Sequence, residues 1–103
     1  MALFGQLTRL QAMPGRADAL VAKFLEAASL QRENKACQLM VTGRSATEDD
    51  VVHLIEVWAS EAEWERARTS DEIKAWAADM PGLVAAPPES VTFDPVGGKG
   101  LIV

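Results

Sequence analysis

Tyrosine is absent from this chain, and cysteine and histidine occur once each, as Cys37 and His53. A lone cysteine cannot close an internal disulfide, which fits a reducing compartment. With no C-x-x-C, no second histidine and no H-E-x-x-H, the ligand set that a metal site needs is missing, so no metal is expected. Basic charge is also scarce. Ten Lys and Arg against fifteen Asp and Glu leave a net charge of -5, and the basic residues are scattered. Phosphate recognition needs a clustered basic surface, so the balance argues against nucleic acid as a partner and equally against an anionic membrane surface. No apolar run approaches the roughly 18–20 residues of a membrane span. The opening Met1-Ala2-Leu3-Phe4-Gly5-Gln6 has neither the basic start nor the long apolar segment of an export signal. A cytoplasmic protein is the expectation. Nothing resembles a nucleophile elbow, and Gly97-Gly98-Lys99-Gly100 lacks the strand-to-helix setting of a phosphate loop.

What the chain has is an ordinary globular composition, 49% hydrophobic and 24% charged over 103 residues. That is enough for one core and too short for two. One domain is expected over residues 1–96, followed by a tail at 97–103 in which a glycine hinge precedes Leu101-Ile102-Val103. Apolar chain ends are rarely left in water, which points to a tail docked on a partner subunit.

The centre of the chain is the run from Val51 to Trp64. It starts as a β-branched strand and changes period at Ser60, which with Glu63 forms the S-x-x-E arrangement that caps a helix. Along that strand Val51, His53, Ile55 and Val57 share one face and Val52, Leu54, Glu56 and Trp58 the other. Apolar residues on both faces imply that both are covered, one by the helices of this chain and the other by something a small single sheet does not supply.

Residues 2–11 carry Leu3, Phe4, Leu7 and Leu10 with no preceding cap and read as an opening strand. After Met13-Pro14-Gly15 the period becomes helical, with Ala17, Leu20, Val21, Phe24 and Ala28 at spacings of three and four until Gln31 and Arg32. Residues 36–42 alternate Cys37, Leu39 and Val41 with Gln38, Met40 and Thr42, a strand whose buried face carries Cys37, Leu39 and Val41. Past Ser60 a second box, Thr69-x-x-Glu72, restarts the helix, and Ile73, Trp76, Ala77 and Met80 continue it to Pro81-Gly82. Residues 90–94 form the last strand, with Val91 and Phe93 on one face. Strand, helix, strand, strand, helix, strand is the α+β, ferredoxin-like βαββαβ order. Helices then cover one sheet face, and the apolar other face points to a homodimer built sheet against sheet.

Met13-Pro14-Gly15-Arg16-Ala17-Asp18-Ala19-Leu20, the corner Leu54-Ile55-Glu56-Val57-Trp58-Ala59-Ser60-Glu61-Ala62-Glu63-Trp64, and Thr69-Ser70-Asp71-Glu72-Ile73-Lys74 resemble the antibiotic biosynthesis monooxygenase superfamily of dimeric α/β barrels. The resemblance implies a pocket between sheet and helices. It also implies one of two chemistries, cofactor-independent oxygenation of phenols or quinols, or haem degradation. Many members carry a histidine three residues beyond the position of Trp64, where this chain has Ala67. The haem degraders place a tryptophan at the Ala67 position, a histidine at that of Ala77 and an asparagine on the first strand. All three are missing here, since the only asparagine is Asn34, and haem degradation is set aside. Ala36 also stands where a glycine often precedes the second strand.

Oxygenation without a cofactor needs an apolar pocket, an acceptor for the phenol proton and exclusion of water. His53 and Glu56 are the candidate catalytic bases, with Trp58, Trp64, Trp76 and Phe93 as pocket walls. Histidine is the residue type that ordinarily titrates near neutral pH, yet one on a strand face is more often a hydrogen-bonded packing residue. Glu56 faces away from His53, because their separation is odd in a period-two strand. A carboxylate on a covered sheet needs a partner, so Glu56 has a structural reading as well. Trp76 fits the helical stripe as a core residue, and Cys37 reads as an inert buried thiol. Two functions follow: a homodimeric, cofactor-free monooxygenase of an aromatic or quinol-like small molecule, or a non-catalytic small-molecule-binding or interaction domain of the same fold, which Ala67 and Ala77 favour.

Overall fold

Phe4–Gln11 forms the first strand, β1, at the centre of a 4-stranded sheet that runs β2-β3-β1-β4, with β2 at Cys37–Arg44, β3 at Val51–Trp58 and β4 at Glu89–Phe93. Every neighbouring pair is antiparallel. The computed structural model describes residues 2–101, so residues 102 and 103 of the expected docking tail lie outside the described residues. Helices α1 (Ala17–Leu30), α2 (Glu61–Arg68) and α3 (Asp71–Ala77) complete the βαββαβ order, α2 and α3 together taking the place of its second helix. The fold is the expected ferredoxin-like α+β arrangement. No described helix is long and apolar enough to cross a membrane.

Helix α1 begins without a side-chain cap at Arg16. Its entry is fixed instead by Gly15, whose positive φ of 75° few other residues adopt and whose N–H donates to Asp50 Oδ1 at 3.1 Å. The buried stripe is Ala17, Leu20, Phe24 and Ala27. It closes on Ala27 rather than Ala28, continuing the three-four-three spacing that keeps one face toward the sheet. Leu20 and Phe24 pack with Leu10, Val52 and Leu54 of the sheet and with Leu83 to form the main core.

The corner after β3 follows the sequence reading. Ser60 is extended, and its hydroxyl accepts from the Glu63 N–H at 3.2 Å. The second start differs by one residue. Ser70, not Thr69, caps α3 by accepting from the Ile73 N–H. The Thr69 hydroxyl is committed backwards, donating to the Glu65 carbonyl at 2.7 Å and closing α2. The helix over the sheet is thus two separately capped pieces. α3 ends at Ala77, and a single 3-10 turn, Met80–Gly82, leads out of it.

β2 departs furthest from expectation. Cys37 pairs opposite Trp58 and Leu39 opposite Val57, so two residues of β2 answer one of β3 and Gln38 is the surplus one. The alternation inverts there. Cys37 joins Phe4, Trp58, Trp64 and Ala67 on the helix side, whereas Leu39 and Val41 turn to the opposite face and Met40 points inward. The expected single buried face of Cys37, Leu39 and Val41 is therefore corrected by this bulge.

The face away from the helices keeps a straight apolar row. Val41, Ile55, Leu7 and Val91 are paired in register across all the strands, and they are 46%, 37%, 42% and 62% exposed. Beside this row lies a polar one of Gly43, His53, Arg9 and Glu89 in the same register.

Candidate functional site

A cavity of about 150 Å³ lies between the sheet and the helices. Its floor is Met40, Leu54, Glu56 and Trp58, all on the inward face of β2 and β3. Its walls are Phe24, Ala27 and Gln31 from α1 and the turn after it, Trp64, Ala67 and Arg68 from α2, and Ile73 and Trp76 from α3. Only Glu56 and Arg68 among these carry charge.

Each aromatic wall is fixed by a second contact. The Trp76 indole N–H donates to the Lys23 carbonyl at 2.7 Å, and its ring meets Phe24 edge-on with centroids 5.3 Å apart. Lys23 Nζ stands 5.4 Å from the Trp76 ring centroid and pairs with Asp79 at 2.6 Å. Trp64 lies against Phe4 at 4.9 Å between centroids, and the Arg68 guanidinium covers it at 5.0 Å. Trp58 is almost wholly buried, and its indole N–H donates to Glu56 Oε1 at 3.1 Å.

Among the described residues, Glu56 is the one acidic group that lines the cavity. Burial pushes its carboxyl above the usual carboxylate range, because desolvation penalises the anion, and the Trp58 hydrogen bond pulls part of the way back. In the same cross-strand row, inside the sheet, are Met40, Glu56, Gln6 and Thr92. Gln6 is buried; its amide donates to Thr92 Oγ1 at 2.9 Å, while its Oε1 has no partner among the described residues. The Cys37 thiol is also on this side of the sheet. Burial first, and the Glu56 carboxylate second, push it up to about 11.

The sequence candidates therefore divide. Glu56, Trp58, Trp64 and Trp76 come together around the cavity. His53 does not: it is exposed on the opposite face, paired across β1 with Arg9 and across β2 with Gly43. Phe93 is also outside the cavity. It pairs opposite Gly5 on the face away from the helices, and its ring fills the space a Cβ at Gly5 would occupy, at 2.5 Å. Whether Phe93 faced in or out depended on the register of β4 against β1, which a five-residue edge strand does not declare. The sequence reading missed Phe24, Met40, Ile73 and Arg68 as lining. Arg68 had a usable signal, since Trp64, Ala67 and Arg68 stand at i, i+3 and i+4 and share one helix face. Among the described residues, no group of three or more His, Cys, Asp or Glu side chains could hold a metal ion.

The comparisons with known proteins point one way. No curated protein matches the sequence. Among solved structures, a protein of Chloroflexus aurantiacus provisionally named an antibiotic biosynthesis monooxygenase is 28% identical over 93% of this chain and 95% of its own, with a TM-score of 0.83. A Caulobacter crescentus protein with the same provisional name is 27% identical over 93% of this chain and 92% of its own, with a TM-score of 0.85. A Pseudomonas aeruginosa protein at 15% identity, covering 94% of this chain and 97% of its own at a TM-score of 0.81, shares the fold. The family model for antibiotic biosynthesis monooxygenases matches residues 3–79, from the start of the sheet to beyond the last helix, and the chain belongs to that family.

Proposed function

We propose that this chain is a cofactor-independent monooxygenase of an aromatic or quinol-like small molecule, with Glu56 as the proton acceptor. The observation that carries the reading is a half-buried carboxylate, held by Trp58, facing a cavity walled mostly by aromatic and aliphatic side chains. A phenol bound there gives its O–H proton to Glu56. The electron-rich phenolate passes one electron to O₂, and recombination of the radical pair forms a C–O bond at a ring carbon that bears hydrogen. Loss of that hydrogen as a proton and cleavage of the O–O bond release water and leave a carbonyl. One oxygen atom ends in the product and one in water, and the substrate supplies all four electrons. The aromatic walls contribute by excluding water from the anion and the peroxide.

The partner in this reading is a second copy of the chain. The row of Val41, Ile55, Leu7 and Val91 crosses the whole sheet on the face the helices leave open, and a self-complementary apolar face suits a two-fold dimer.

One observation favours a second reading, a non-catalytic small-molecule-binding domain. Ala67 stands in the cavity wall and offers no proton acceptor. Oxygen consumption with a panel of hydroquinones in air separates the two. Enzyme-dependent uptake that E56Q removes supports the oxygenase. Binding of the same compounds, seen by quenching of tryptophan emission, with no uptake on any of them supports the second reading.

A further inference from the structure

Arg68 reaches the cavity from α2, whereas Glu56 rises from the sheet on its floor. The Arg68 side chain is 55% exposed, so it stands at the rim. Its guanidinium is held from two directions: Nε donates to Glu65 Oε2 at 2.8 Å, and the group lies 5.0 Å from the Trp64 ring centroid. Neither terminal nitrogen makes a protein hydrogen bond among the described residues. That leaves the two-pronged end of the fork free, the edge that matches a carboxylate with two parallel bonds. A site fixed in advance in this way loses little freedom when it binds.

A cavity of about 150 Å³ is on the order of the apolar cavity that accepts a single benzene ring. A ring that fills it, with a hydroxyl at Glu56, has its far substituent at the rim. The remaining polar group of the lining, Gln31, is neutral.

We infer that the cavity selects single-ring phenols carrying a carboxylate, and that Arg68 is the specificity-determining residue that reads the carboxylate. This rests on the cavity being the substrate chamber proposed above, and it names the substrate class of that chamber. Net charge adds a reason for a dedicated cation. At -5 the chain as a whole repels an anionic ligand, so attraction has to be local.

The test titrates 4-hydroxybenzoate and 4-methylphenol, which share the ring and the hydroxyl and differ in charge, into the full chain at neutral pH and low salt, reading tryptophan emission. The charged phenol is expected to bind about tenfold tighter, the range of a charge-assisted hydrogen-bonding pair, and the ratio is expected to fall close to one in R68Q. R68M, whose stem still covers Trp64, gives the same result if loss of charge rather than loss of packing is responsible. Equal binding of the two phenols by the parent protein overturns the inference, as does a tenfold ratio that survives both variants. Failure of both phenols to bind removes the chamber and the inference together. Selective binding without oxygen uptake removes the oxygenase reading and leaves the selectivity of Arg68 standing.

Discussion

Trp58 donates its indole N–H to the carboxylate of Glu56, two positions earlier on the same strand, at 3.1 Å. The residue that walls the cavity thus also steadies its acid. The bond favours the anion, opposing the larger upward push of burial. In W58F that support is gone and the Glu56 carboxyl moves further up. A base must be ionised to act, so the acid limb of the oxygen-uptake profile should move to higher pH in W58F, a shift read from initial rates across pH.

E56Q tests the same group in two ways. General-base catalysis is worth about 10²–10⁴-fold in rate, and oxygen uptake should fall by at least the lower figure. Stability should move the other way. A carboxyl whose folded value lies above its unfolded one stabilises the fold fully below the ordinary carboxylate range, and this contribution is lost as pH rises through the folded value. The neutral amide avoids that loss. E56Q should therefore melt above the parent at neutral pH, with the gap closing in acid; a variant that melts lower at neutral pH would refute the buried-anion account.

The open row predicts a change of mass. A charge at the centre of an apolar interface leaves it buried and unpaired, so I55E should sediment at the 11.1 kDa of one chain while the parent sediments at twice that. A parent that already runs as a single chain would remove the dimer from the proposal.

His53 is on the far side of the sheet from the cavity, beside Arg9. H53A should leave oxygen uptake within about twofold of the parent, well inside the effect expected of a lost base, when both proteins are compared at matched mass. The sequence already held this division, because an odd separation in a strand places His53 and Glu56 on opposite faces. It equally held the order of elements, the Ser60 corner and three of the walls, all consequences of period two or period 3.6. The rest depended on relations between strands. Phe93 pairs opposite Gly5 through a register that no side chain announces, and Leu39 and Val41 changed sides because of a bulge with no residue signature of its own. Arg68 was hidden for a different reason: a charged residue on a short helix reads as solvated surface until a cavity is seen beneath it.

The Cys37 thiol, pushed up to about 11, should be slow to alkylate. At pH 8 only the thiolate reacts, and relative to an ordinary thiol the native protein should label with iodoacetamide roughly 100-fold more slowly than the unfolded chain. Near-equal rates would mean that the half-buried thiol is not packed in the cluster of Phe4, Trp58 and Ala67.

The surplus residue in β2 also determines where this strand can change in length. Cys37 and Leu39 already answer consecutive residues of β3, so removing Gln38 leaves each of them opposite its present partner. Loss of any residue from the regular part of the strand, such as Val41, instead turns over everything on one side of the gap. A family member shorter by one at this point can keep the thiol and the acid in the same layer, whereas drift elsewhere in the hairpin has to come in pairs.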